Sequence, residues 1–224
     1  MKQILRVRIP SVFRLNVTVA FAMLCCFGLC VARAEEEEVR VPSPDRKWEY
    51  RVIDGAAVIV KAGSADVAVT LPAGGVDSDS DAVLWAPDSR RFAFNTRDGL
   101  RSQTCTAYEL AGSTWKPLPD FAEKADAVQK AIEKAKAQGI KRLGLAADVH
   151  QRRIDDTWMA RRWINKNTLE LFAYSAASVE NEPISGGVLF RVRCDERGGW
   201  RVISQRNVAE RDVEKLLSGK ASER

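Results

Sequence analysis

The sequence contains very little histidine: His150 is the single one among 224 residues. One histidine cannot provide the set of imidazole ligands found in a typical catalytic zinc site. The sequence also lacks the Gly-x-Ser-x-Gly pattern that exposes a nucleophilic serine between a strand and a helix. We therefore predict no catalytic residue, no cofactor and no metal site.

Acidic side chains are absent from the first 34 residues, although 30 follow later. This segment begins with a basic region, continues with an apolar stretch at 15–31, and ends in Ala32-Arg33-Ala34. These three parts predict a cleavable secretory signal peptide. We expect cleavage after Ala34 and a periplasmic or secreted protein without a stable membrane anchor. An uncleaved anchor is the alternative, because the apolar stretch approaches the roughly 20 residues that span a bilayer.

Cleavage would remove the net positive charge of the chain. Residues 1–34 hold five of the 35 lysines and arginines, which leaves 30 basic residues against 30 acidic ones. A neutral chain gives no electrostatic reason to bind nucleic acid, so we predict no nucleic-acid partner. Residues 35–41 begin with four glutamates and are expected to form an acidic, flexible tail.

Cysteine is scarce after such cleavage, because only Cys105 and Cys194 remain. In an oxidising compartment we predict a disulfide between them. It would close a loop of about 90 residues and stabilise the fold by on the order of 4 kcal/mol. Two separate buried thiols are the alternative, because a sequence does not show whether the two Cβ atoms come within bonding distance.

The remaining chain, 42–224, is expected to form one β-rich domain. Short β-branched and apolar runs alternate with turn residues over 42–119, and Asp54-Gly55 and Asp98-Gly99 are typical hairpin turns. Strands return over 150–224, where a short helix at 208–217 ends the pattern. The predicted strands there are 157–163, 168–175, 188–194 and 200–204.

A helix is predicted between these two strand regions, within 120–139. Apolar residues recur every three or four positions over 121–138, on a segment rich in lysine, glutamate and alanine. Asp120 would cap this helix and Gly139 would end it. Its narrow apolar stripe predicts a helix lying on the surface of the sheet.

The most distinctive motif is WAPDSRRFAF at residues 85–94. It resembles the TolB-like β-propeller repeat, whose blades carry Trp-Ser-Pro-Asp-Gly-Lys before an alternating strand. A second copy, SPDRK at 43–47, begins 43 residues before Ala86, and residues 163–169 are similar to a weaker third copy. A period in the low forties is that of a four-stranded propeller blade. The alternative is that Pro-Asp simply makes a good turn here.

The resemblance implies antiparallel, propeller-like sheets. Together with the helical patterns above, it gives an expected mainly β (α+β) fold, with a surface helix near 121–138 and a short C-terminal helix. A closed propeller needs at least four blades of about 40 residues, so we expect an incomplete or open stack. The resemblance also implies a non-enzymatic binding module that docks an envelope protein or polymer. The alternative is a hydrolase, or a hydrolase-accessory domain, that uses His150 and a nearby aspartate.

Three further patterns suggest binding sites, although each also has a simpler structural explanation. Aspartates alternate over 77–81 as in a calcium loop, with Asp88 at loop position twelve, but the central glycine and the bidentate glutamate are missing. Gly186-Gly187 and Gly198-Gly199 precede no helix and are expected to be turns. Arginines and tryptophans alternate in the C-terminal half, which suggests an anion or carbohydrate site or else a solvated strand face. The residues concerned are Arg152, Arg153, Arg161, Arg162, Arg191, Arg193, Arg197, Arg201, Trp158, Trp163 and Trp200.

Overall fold

The computed structural model describes residues 39–72, 82–99, 102–121, 125–195 and 197–218. The expected signal peptide, the start of the acidic tail and the aspartate-rich segment 77–81 lie outside these ranges. In the part of the chain that is described, no helix is long and apolar enough to cross a membrane.

The described residues form twelve strands and two helices. The first eight strands are β1 (Arg40–Pro42), β2 (Trp48–Ile53), β3 (Ala56–Lys61), β4 (Val67–Thr70), β5 (Ala82–Trp85), β6 (Arg91–Gly99), β7 (Ser102–Ala111) and β8 (Thr114–Pro117). The others are β9 (Arg152–Asn165), β10 (Thr168–Val179), β11 (Glu182–Cys194) and β12 (Trp200–Asn207). The helices are α1 (Asp126–Arg142) and α2 (Glu210–Leu217). The predicted mainly β fold with two helices is confirmed.

The strands follow one another as three antiparallel meanders of four strands each. Meander I (β1–β4) is a separate sheet, and meander II (β5–β8) and meander III (β9–β12) belong to one eight-stranded sheet. A short parallel pairing of β7 with β9, at Ser102 and Gln103, joins meanders II and III. Because the far end of β7 pairs with β8 instead, the larger sheet splits there and curls into a half-barrel.

Meander II is buried on both faces. On β6, Phe92 and Phe94 pack in one apolar cluster with Tyr50 of meander I, whereas Ala93 between them packs in another with Leu171 of meander III. Successive side chains of a strand point to opposite faces, so each face of β6 meets a different neighbour. Meander II therefore packs against meander I on one face and against meander III on the other.

The first helix begins later than the sequence indicated. Ala125 is its N-cap, and no side chain caps it, so the prediction that Asp120 does so was wrong. Phe121 is buried against the rings of Trp158 and Trp200, with ring centroids 6.5 and 6.0 Å away. This packing holds the chain at Phe121 outside the helix.

Three glycines predicted to end or turn the chain lie inside regular elements. Gly139 is a buried residue of α1, where an added Cβ would lie 3.2 Å from the side chain of Ile184. Gly186 and Gly187 are in β11 and are not turn residues. A Cβ on Gly186 would lie 2.6 Å from the carbonyl oxygen of Ile132, so the missing side chain lets α1 cross β11 closely. The predictions at these positions were wrong because local sequence does not show a helix crossing.

Candidate functional site

Arginines collect on the outer face of meander III, beside α2. The antiparallel register places Arg193 opposite Arg201 and Arg206 opposite Leu189. Glu170 stands opposite both Arg162 and Arg191. Because residues two apart on a strand share a face, all of these side chains lie on one side of the sheet. We call this the arginine surface: Arg162, Arg191, Arg193, Arg201 and Arg206.

Glu170 holds two of these arginines against the sheet. Its side chain is only 9% exposed, and its two carboxylate oxygens accept hydrogen bonds from Arg162 Nε and Arg191 Nε, each at 3.1 Å. A buried carboxylate without such partners would be costly. The two arginine side chains remain 64% and 45% exposed, so part of each guanidinium still faces solvent.

A cavity of about 210 Å³ opens on this face above Glu170. Arg191 and Arg206 line it, Ser204 and Gln205 add polar groups, and Leu189 supplies apolar surface. Guanidinium groups present forked N–H donors that match a carboxylate, and the serine hydroxyl offers one more donor. The cavity is therefore suited to an acidic side chain or another small anionic group.

Positive charge exceeds negative charge around this cavity. Arg193, Arg201 and Arg206 form no ion pair with another residue of the described ranges. The five guanidinium groups of the arginine surface thus face one buried carboxylate. Sequence analysis missed Arg206, because simple alternation along β12 would place it on the face opposite Arg201; a bulge in the pairing of β12 with β11 brings the two to the same face.

The tryptophans expected to accompany these arginines lie on the other side of the sheet. Trp163 donates its indole N–H to the carbonyl of Leu84 at 3.0 Å, and Trp200 donates to the carbonyl of Pro119 at 2.9 Å. Both are buried, and Trp158 packs against Phe121 in the same cluster. These rings are therefore not part of an anion or carbohydrate site with the arginines, because their hydrogen bonds and ring packing join meander III to the rest of the core.

The other predicted arginines are not part of the arginine surface. Arg161 donates to the carbonyl of Leu216 at 2.6 Å and so ties β9 to α2. Arg153 pairs with Asp156 at 2.6 Å, and Arg197 lies in the turn between β11 and β12. Arg152 is exposed at the start of β9.

The two motif copies form the same turn. In the first copy, Arg46 N–H donates to the carbonyl of Ser43; in the second, Ser89 N–H donates to the carbonyl of Ala86; both distances are 2.9 Å. Arg46 and Ser89 each have φ of +58°. Asp88 accepts from the backbone N–H two residues later, which gives the twelfth position of the supposed calcium loop a role in this turn.

The first turn contacts the second, and the residue after the second turn contacts the loop between β9 and β10. Asp45 N–H donates to Ser89 Oγ at 2.9 Å, and Arg91 donates to Asn167 Oδ1 at 2.7 Å. Burial opposes the charged form of Asp45, but hydrogen bonds from the Ser43 hydroxyl and the Lys47 backbone outweigh it and lower the pKa of the carboxyl. Because the polar groups of the turns bond to each other, they hold the meanders together.

Cys105 and Cys194 are free, buried thiols in the same apolar cluster. Cys105 lies on β7 and Cys194 on β11, with β9 and β10 between them in the sheet. The two cysteines are thus three strand positions apart along the sheet, and both thiols are free. The predicted disulfide is not formed in the described structure.

The alternative hydrolase interpretation depends on His150 and a nearby aspartate. His150 is exposed between α1 and β9. Asp156 is bound to Arg153, and Asp155 accepts a hydrogen bond from Thr157 Oγ1 at 2.9 Å. Among the residues that are described, no three potential ligands come together to hold a metal ion.

Comparison with known proteins adds no identification to this geometry. The sequence matches no protein-family model, and a search of curated proteins finds no significant match.

Proposed function

We propose that the protein is an exported, non-enzymatic binding module whose arginine surface binds an acidic segment of another envelope protein. The observation that carries the proposal is the cavity lined by Arg191 and Arg206, where two guanidinium groups flank one buried carboxylate. A buried Glu170 fixes the guanidinium of Arg191 before any partner arrives. Such preorganisation reduces the entropy lost on binding.

We also propose that the three meanders are blades of an open, propeller-like stack. Two observations support this: each meander has four antiparallel strands in sequential order, and the first two share one turn geometry at Arg46 and Ser89. An open stack leaves the outer face of meander III without a further blade. That face carries the arginine surface, which makes it available for a partner.

The export proposal rests on the basic, apolar and Ala-x-Ala parts of residues 1–34. It places the arginine surface in the periplasm or outside the cell. There we expect a partner protein with acidic segments, and an anionic envelope polymer is the competing outcome of the test.

The test is a charge reversal measured by binding of a labelled peptide. The probe is a nine-residue peptide of alternating glutamate and valine, followed by fluorescence anisotropy with the purified protein. We expect Arg193→Glu and Arg206→Glu each to weaken binding by about tenfold, because each replaces an attraction with a repulsion. Lys61→Glu, on meander I, makes the same change in net charge and should leave binding within about twofold.

Equal weakening by all three substitutions would contradict the proposal, because it would indicate attraction to net charge alone. Binding that is unaffected by Arg193→Glu and Arg206→Glu would also overturn it. Polyphosphate is added at equal charge concentration as a competitor. If it displaces the peptide from the unchanged protein and from both arginine variants alike, a polymer partner is favoured instead.

A further inference from the structure

The strand that carries Arg201 and Arg206 of the arginine surface, β12, lies at one edge of the eight-stranded sheet. Within the described ranges, β12 pairs with β11 alone, and six of its eight residues are exposed. An edge strand presents a row of N–H and C=O groups with which another extended chain can pair. The binding face therefore ends in a backbone that can accept a further strand.

The hydrogen-bond pattern shows which groups of β12 point outward. Val208 N–H donates to the carbonyl of Gly187 at 2.9 Å, so this pair bonds toward β11. Inward-bonded and outward-facing residues alternate along an antiparallel ladder. Counting back from Val208, Arg206 bonds toward β11, whereas Gln205 and Asn207 direct their backbone groups outward.

The side chains of β12 add charge to this edge. Arg201 and Arg206 lie on the outer face, in register with Arg193 and Leu189 of β11. Side chains directly opposite on neighbouring strands lie about 4.5–5.5 Å apart at Cβ. A strand added to β12 would therefore place every second side chain beside these arginines. Ile203, 38% exposed, offers an apolar contact on the same strand.

The charge on this edge selects the class of partner. Charged side chains commonly keep natural edge strands from pairing with copies of themselves. Two β12 strands brought together would place Arg201 and Arg206 beside arginines of the second copy. An acidic strand meets attraction at the same positions, so charge complementarity favours a different, acidic chain.

We propose that an extended segment of the partner, with acidic residues at alternate positions, adds to β12 as a further strand. This inference rests on the proposed function and specifies how the partner lies on the arginine surface. The backbone of the segment pairs with Gln205 and Asn207, and its acidic side chains contact Arg206 and Arg201. The mode is strand addition, in which backbone bonds give affinity and alternate side chains give specificity.

The first experiment changes only the peptide. The alternating glutamate–valine peptide is compared with one of the same composition in two blocks, and with two copies N-methylated on alternate amides. We expect N-methylation of the amides that face β12 to weaken binding by about tenfold or more, because it removes donors to the edge. N-methylation of the other amides should change binding by less than about twofold.

The second experiment changes only the edge. Gln205→Pro removes an outward N–H, and proline is tolerated where the N–H of an edge strand faces solvent. We expect this variant to keep its unfolding midpoint but to lose about tenfold or more in peptide affinity. Because Arg201 and Arg206 stay in place, the loss would report on the backbone and not on charge.

The outcomes separate this inference from the proposed function. If both N-methylated peptides and the block peptide bind as tightly as the alternating one, strand addition is overturned, even where Arg206→Glu still weakens binding. If Arg206→Glu has no effect, the proposed function itself fails. If Gln205→Pro does not fold, the pattern of the two N-methylated peptides on the unchanged protein still decides.

Discussion

Two residues of the repeated turns occupy the left-handed region of backbone conformation. Arg46 is exposed there, whereas Ser89 is buried and accepts a hydrogen bond from the Asp45 N–H. Left-handed backbone costs a non-glycine residue about 1–2 kcal/mol. Glycine loses about 0.5–1 kcal/mol more than alanine through backbone entropy, so its net advantage at such a site is small but positive.

We therefore expect Arg46→Gly to raise the free energy of unfolding by about 0.5–1 kcal/mol. The matched change Ser89→Gly should not stabilise the protein, because it leaves the Asp45 N–H without its acceptor and costs about 1 kcal/mol. Chemical denaturation of the two variants measures both effects. Equal stabilisation by both would show that the bond between the turns contributes nothing.

The two thiols make a further prediction at the residue scale. Burial raises the pKa of Cys105 from its ordinary value of 9.0 to about 12, and burial also raises the pKa of Cys194. Since the thiolate is the reactive form, neither should be alkylated in the native protein at pH 8. Under denaturing, non-reducing conditions we expect two adducts by intact mass. If the thiols stay unreactive and the protein is about 2 Da lighter, because each thiol has lost its hydrogen, the disulfide predicted from sequence is present instead.

The raised pKa of Cys105 also gives stability a pH dependence. Below pH 9 the thiol is protonated in both the folded and the unfolded state. Above it the unfolded chain loses its proton first, so stability falls as the pH rises from 9 toward about 12. Denaturant unfolding between pH 8 and 10 should show a shallower decline for Cys105→Ala. An unchanged slope would mean that the thiol is not the group responsible.

At the scale of elements, the crossing of α1 over β11 depends on a glycine. A Cβ at position 186 would clash with the backbone of Ile132 and would lie 3.1 Å from Ala135. We expect Gly186→Ala to lower the free energy of unfolding by about 1–3 kcal/mol, because the helix must move away from the strand. Gly99→Ala, where an added Cβ meets nothing within 4 Å, is the control and should cost far less. Similar losses in the two variants would contradict the close crossing.

Elements set by local sequence could be predicted, and elements set by distant contacts could not. The turn at Asp54-Gly55 and the hairpin around 195–199 occur as expected, because turn residues act within a few positions. The start of α1 was missed because Phe121 packs against rings far along the chain. The inner position of Trp163 was missed for the same reason, since its partner is Leu84.

Only part of the arginine surface could be predicted from the sequence. The alternation over β11 predicts that Arg191 and Arg193 share a face, and they do. Their meeting with Arg162 and Arg206 depends on the register of three strand pairs and on a bulge beside Arg191. Register is a property of the assembled sheet, so the cavity above Glu170 could not be read from residue order.

At the scale of the whole molecule, the three meanders share one connectivity but differ at their outer faces. Meander II has a neighbour on both sides, whereas α2 covers part of the outer face of meander III, through Phe172, Leu189 and Val213. The arginine surface lies beside the covered part of this face. The arginine surface and the edge of β12 thus lie side by side, which is what a binding module for an acidic chain requires.

Hydrogen–deuterium exchange tests this account most directly, because it locates the bound peptide on the whole protein. The purified protein is compared with and without the alternating glutamate–valine peptide at low salt, where surface electrostatics act most strongly. The account predicts slower exchange in β11 and β12, largest at the amides of Gln205 and Asn207. Slower exchange confined to the turns at 43–47 and 86–90, or no change in β12 while the peptide is bound, would contradict it.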